Sequence, residues 1–258
     1  MKVRIISAIV AILIGVPLLI IGGIWLDILL SVIVIMGLKE INDIYRKERK
    51  IETIITLFSY LSSVVILLSE DALSSSICLS IFIFFIPLIF FNNEKYNYKD
   101  AVYLFGSTLF VSFPFYLLRM IRISSLNEVI FLFLITIMTD TFALIGGKTF
   151  GKHKLIERIS PNKTIEGSIS GSLIGTIIPT IYYIFMIDPG INILFILFLT
   201  FLLTIIDQLG DLVFSSIKRY YKIKDFSNIM PGHGGILDRF DSIIFVTIAY
   251  TIIKSLFL

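Results

Sequence analysis

Long apolar runs alternate with short charged segments along the whole chain, and this alternation restricts its fold more than any other feature. A helix needs about 20 mostly apolar residues to cross the hydrocarbon core, where every backbone polar group must be satisfied within its own segment. Runs that reach or approach this length lie at about 5–22, 24–39, 52–69, 74–92, 101–119, 128–147, 167–186, 191–210 and 241–257. Hydrophobic residues make up 57% of the 258 positions and charged ones only 16%. A soluble domain would be roughly half apolar and about a quarter charged. The expectation is an all-α polytopic integral membrane protein with about nine transmembrane helices and no large soluble core. The first boundary rests only on Gly22–Gly23, read as a tight turn.

Charge sets the expected orientation. Seventeen of the 22 Lys and Arg fall in the segments after runs two, four, six and eight. The positive-inside rule places that side in the cytoplasm, with the N-terminus outside, in a multi-pass cell (inner or plasma) membrane protein. The basic run Arg46–Lys50 reads most simply as an anchor to anionic lipid heads. Lys2 and Arg4 precede an apolar run that continues to about Trp25 with no Ala-x-Ala-like site, so a retained first span is expected. A single cysteine, Cys78, excludes a disulfide framework. The chain is read as N-terminal membrane helices over 1–119 and a C-terminal region over 120–258, where two cytoplasmic polar segments lie.

Ionisable residues inside spans are costly, and each is a functional candidate. Asp140 lies well inside the sixth run. Asp207, Asp211 and Ser215 follow one another at intervals of four, which puts two carboxylates and a hydroxyl on one helix face. Asp238 and Asp241 open the ninth run and share a face; for Asp241 a local interfacial ion pair is an equal alternative. Carboxylates and hydroxyls converging from several helices make an all-oxygen site, which suits Mg²⁺ far better than zinc.

Two polar segments interrupt the C-terminal region. In Thr139–Gly171 the Gly146-Gly-Lys-Thr149 run imitates the end of a P-loop, but Phe142 stands where the glycine is required and no strand is expected before it. Ser160-Pro-Asn-Lys-Thr164 reads as a turn rich in donors, with Lys163 and Thr164 able to address a phosphate. Gly167 and Gly171 form a small-xxx-small pair suited to close helix packing. In Ser215–Ser242 the eighth helix is expected to continue out of the membrane through Lys218 and Arg219. The Met230-Pro-Gly-His-Gly-Gly235 centre must then break it through Pro231 and three glycines, and glycine also permits close backbone approach to a ligand. His233, set between glycines in a basic loop, is a ligand-contact candidate.

The run Ser215-x-x-Lys218-Arg219-x₄-Lys224-Asp225-x-Ser227-x₃-Pro231-x-His233-Gly234-Gly235-x-x-Asp238-Arg239-x-Asp241 resembles the signature of the phosphatidate cytidylyltransferases, the CDP-diacylglycerol synthases. Ser160-Pro-x-Lys163-Thr164-x-Glu166-Gly167 and Gly210-Asp211-Leu212 fit the same family in the same order. Met230 departs conservatively from the usual Leu, Ile or Phe. The resemblance implies a reaction of CTP with phosphatidate that yields CDP-diacylglycerol and pyrophosphate. On that basis Asp211 and Asp238 are expected to bind metal with Ser215 in support, and Asp207 and Asp140 as weaker candidates. Lys218, Arg219, Lys224 and His233 join the two acids as catalytic candidates. Ser160, Lys163, Thr164, Ser215, Gly234, Gly235 and Arg239 are expected to bind substrate. The resemblance also implies Mg²⁺, a second cation such as K⁺, and a homodimer in the lipid bilayer; no nucleic acid partner is expected. Two alternatives stay open from the residues: a CTP-dependent polyprenol-type lipid kinase, which would release CDP, and an ion-coupled transporter.

Overall fold

A computed structural model describes residues 2–49, 51–70, 72–91, 94–229 and 234–257, with side chains described from residue 12 onward apart from Glu48. Its elements are α1 (Lys2–Ile21), α2 (Gly23–Glu48), α3 (Thr53–Leu68), α4 (Leu73–Phe85), α5 (Pro87–Phe90), α6 (Tyr98–Ser124), α7 (Leu126–Phe150), β1 (Lys154–Ile156), β2 (Ser160–Thr164), α8 (Ile165–Met186), α9 (Ile193–Tyr220) and α10 (Leu237–Phe257). The protein is an all-α polytopic membrane protein. Each expected apolar run is helical, the fourth as α4 and α5 together. Among the described residues, six helical stretches are long and apolar enough to cross a membrane: α4–α5, α6, α7, α8, α9 and α10.

Local signals explain the boundaries. Gly22 and Gly23 have φ of 72° and 55°, a left-handed geometry that ends α1 and starts α2. Arg122 donates through Nε to Leu19 O and through Nη2 to Ile20 O, both at 2.7 Å, which satisfies carbonyls in the last turn of α1. Ser125 caps α7 by accepting from Glu128 N, and Asn192 caps α9 by accepting from Leu194 N and Phe195 N.

The chain divides into two compact units. One comprises 1–123 and 225–238, the other 124–224 and 239–258. The first unit holds charge inward. Arg119 donates through Nε to Asp27 at 2.6 Å and through Nη2 to Glu70 at 3.2 Å. Arg49 Nε bonds Asp100 Oδ2 at 2.8 Å, and Arg46 Nη2 bonds Thr56 Oγ1 at 2.8 Å. The basic run expected to face lipid heads therefore turns both arginines onto protein partners. Arg49 pairs with a fully buried Asp100.

In the second unit α8 shows the inverted amphipathicity of a membrane helix. Ile169, Leu173, Ile177 and Ile181 repeat every four residues and are exposed. The opposite face carries Gly167, Gly171 and Gly175, which press onto α7. A Cβ on Gly171 would lie 2.7 Å from Thr139 O, and one on Gly167 would lie 2.6 Å from Ala143 O. The small-xxx-small reading holds, with α7 as the partner.

One local expectation fails. Ser160–Thr164 is not a turn but strand β2, paired antiparallel with β1 in the register Lys154↔Thr164 and Ile156↔Ser160. The turn lies at Glu157–Ile159 instead. Pro161 is tolerated because a two-stranded ribbon has only edge strands.

Candidate active site

The second unit gathers acids from three helices. Asp140 comes from α7, Asp207 and Asp211 from α9, and Asp241 from α10, one residue past its first turn. Asp207 lies within electrostatic reach of Asp140, Asp211 and Asp241, and Asp140 and Asp241 each of Asp211. Three cations enter the same field: Lys163 from β2 and Arg239 from α10 act on Asp140, and Lys218 from α9 acts on Asp241. The helices approach closely here. A Cβ on Gly210 would lie 3.2 Å from Asp241 O, and Ser242 Oγ donates to Asp207 O at 3.1 Å.

On α9, the residues Asp207, Asp211, Ser215 and Lys218 form one stripe. Asp211 pairs through Oδ2 with Lys163 Nζ and accepts from Ser215 Oγ through Oδ1 at 3.3 Å. The shared helix face expected for Asp207, Asp211 and Ser215 is present on α9, and Lys163 joins it from β2. Asp207 is fully buried, and neither carboxylate oxygen has a hydrogen-bond partner. One residue along, Gln208 ties α9 to α8: its Oε1 accepts from Ser168 Oγ, and its Nε2 donates to Ser172 Oγ at 2.8 Å.

Other expected site residues have structural partners. Thr164 caps α8, its Oγ1 accepting from Gly167 N at 3.1 Å. Arg219 is exposed and holds the hairpin turn, donating through Nε to Ile159 O at 3.2 Å and through Nη1 to Ile223 O at 3.0 Å. Ser160 is half-buried at the start of β2, and Lys224 is exposed. Glu166 accepts from Lys152 N and His153 N and pairs with His153 Nδ1 at 2.6 Å, fixing the segment before β1.

In the first unit, Asp238 Oδ2 accepts from Phe226 N and Gly235 N, both at 2.9 Å, so the carboxylate closes its own loop. Gly234 has φ of 85° and leaves no room for a Cβ, which would lie 2.8 Å from Asp238 Oδ2. His233, with Met230, Pro231 and Gly232, lies outside the described residues.

Sequence reasoning left Asp241 undecided; the structure puts it in the acid cluster. It missed Glu40 and Gln208 altogether. Glu40 carried only the weak signal of an acid just beyond an apolar run, and Gln208 none beyond its place next to Asp207.

Among the described residues, no three His, Cys, Asp or Glu side chains stand close enough to enclose a metal ion as they are placed. The donor chemistry nonetheless fits a hard cation. The four acids offer only oxygen, and two oxygens of Asp207 are buried without a donor.

Comparison with known proteins agrees with this chemistry. The cytidylyltransferase family pattern matches residues 2–257. A phosphatidate cytidylyltransferase of Staphylococcus haemolyticus is 38% identical over 254 residues, covering 95% of this chain and 96% of the relative. The Staphylococcus epidermidis protein of the same name is 38% identical, and that of Staphylococcus aureus 36%, with the same coverage. This chain therefore belongs to the cytidylyltransferase family.

Proposed function

We propose that this protein is a phosphatidate cytidylyltransferase that converts CTP and phosphatidate into CDP-diacylglycerol and pyrophosphate. The observation that carries the reading is the joining of three cations in one electrostatic field with four carboxylates that stand on helices long and apolar enough to cross a membrane. Relatives of that name, matched along nearly the whole chain, support it. They do not favour the lipid-kinase or transporter alternatives.

The chemistry explains why such a site is needed. A phosphate oxygen of phosphatidate attacks the α-phosphorus of CTP, the bond to the β-phosphate breaks, and pyrophosphate leaves. Both reactants are polyanions, so positive charge must be fixed where they meet. Lys163, Lys218 and Arg239 supply it from the chain. Asp211 and Asp207, with Ser215, Asp140 and Asp241 nearby, would hold Mg²⁺, which screens phosphate charge and stabilises the leaving oxygen when bound. A second cation such as K⁺ belongs to the same proposal. Phosphatidate is already an oxyanion near neutral pH, so no side chain has to remove a proton from it. Asp238 remains a proposed metal ligand, and Ser160, Thr164, Arg219, Lys224, His233, Gly234 and Gly235 remain proposed substrate contacts.

Acyl chains stay in lipid while CTP arrives from water, so the site must be reachable from both. The charge asymmetry supports a cytoplasmic site in the cell membrane. A homodimer is part of the proposal on family resemblance alone. The test is purified protein in phosphatidate-containing micelles supplied with CTP and Mg²⁺. Pyrophosphate released in step with CDP-lipid supports the reading; release of CDP instead overturns it in favour of a lipid kinase.

A further inference from the structure

The N-terminal helices carry no residue in the proposed chemistry, yet one of their acids is built into the signature loop. Glu40 lies on α2 and is 1% exposed. Its Oε1 accepts from Ser227 Oγ at 2.6 Å and from Ile236 N at 2.7 Å, and its Oε2 accepts from Leu237 N at 2.9 Å. These partners lie 187, 196 and 197 residues further along the chain, within the same compact unit. Nearby glycines are shaped to the contact. A Cβ on Gly235 would come within 2.6 Å of both Glu40 carboxylate oxygens, and one on Gly37 would lie 3.0 Å from Leu237 Cδ2.

We infer that Glu40 is a positioning residue, whose carboxylate fixes the end of the α9–α10 loop and the first turn of α10. All three partners donate, so the ionised carboxylate fits and an amide does not. A glutamine would turn NH₂ toward at least one donor and leave it buried without an acceptor. The first turn of a helix has free N–H groups; here those of Ile236 and Leu237 are satisfied from a distant helix rather than by a local cap. The loop so held starts after α9 with Lys224–Asp225 close by and leads into Asp238–Arg239 in the first turn of α10, joining the helices that carry Asp211 and Asp241. Glu40 touches no substrate in this account. It acts through the loop, and its effect on turnover rests on the function proposed above.

The test combines hydrogen exchange with kinetics on the full-length protein in micelles, for wild type, Glu40→Gln and the milder Ser227→Ala. Glu40→Gln should speed amide exchange at Ile236 and Leu237 by about tenfold or more and leave the α9 amides 196–204 unchanged. Its KM for CTP should rise by about tenfold while kcat changes by less than about threefold; Ser227→Ala should shift both readouts the same way, by about threefold. Wild-type exchange and kinetics in Glu40→Gln overturn the proposal. So does exchange accelerated equally across every helix in both variants, which would make Glu40 a support of the whole fold. If wild type itself releases no pyrophosphate, the functional reading fails, and the exchange data still decide the role of Glu40.

Discussion

Glu40 and Asp207 are buried to the same degree, 1% and 0% exposed, and differ in everything that burial demands. Glu40 receives three donors from its own unit. Asp207 receives none on either oxygen and stands among three other aspartates. A buried carboxylate is costly unless hydrogen bonds or opposite charge compensate it. For Glu40 the chain supplies that compensation itself, which marks a structural acid. For Asp207 the compensation must come largely from charges around it, which marks an acid kept for a ligand. The contrast separates two kinds of buried acid that sequence alone puts in one class.

Substitutions can break or sharpen this contrast. The largest effect is expected at Asp211→Asn, beside Asp207 on the α9 stripe: kcat should fall by about 10²–10³-fold in pyrophosphate release, the scale of removing one charge-stabilising group from an active site. Retained full activity would remove the cation-binding assignment. Next comes Glu40→Ala, which strands three donors. It should cost about 3 kcal/mol or more, read by denaturant unfolding in micelles. Gly171→Ala should cost about 1–3 kcal/mol by the same measurement, since the new methyl meets Thr139 O and drives α8, with Lys163 at its head, away from α7.

The smallest shift is the most telling in sign. With a chelator present, Asp207→Asn should raise the thermal midpoint by about 2–4 °C, roughly 1 kcal/mol, because the amide escapes the desolvation and like-charge repulsion that burden this carboxyl. Glu40→Gln should lower it under the same conditions. The stabilisation of wild type by added Mg²⁺ should also vanish in Asp207→Asn. A lowered midpoint in both variants would mean that Asp207 is as well compensated as Glu40.

The helices were legible because apolar run length and lipid physics act locally, and Gly22–Gly23 and the α9 extension to Tyr220 followed from local signals. The stripe of Asp207, Asp211, Ser215 and Lys218 was visible for the same reason: a helix repeat fixes which residues share a face. The β1–β2 hairpin was missed because Pro161-Asn162 carries turn propensity, while the pairing that overrides it is made with Lys154–Ile156. Lys163 meeting Asp211 depends on that hairpin folding back to α9, and only the resemblance pointed there. Glu40 was out of reach, since its partners lie more than 180 positions away. Asp241 stayed ambiguous because a helix-start acid pairs at an interface as readily as it joins a site.

Mg²⁺-dependent product formation from CTP and phosphatidate by the purified protein in micelles, compared with Asp211→Asn, tests the central claim most directly. The account predicts pyrophosphate and CDP-lipid in equal amounts, both lost on chelation and both reduced by about 10²–10³-fold in Asp211→Asn. CDP as the released nucleotide, or turnover indifferent to both chelation and the substitution, would contradict it.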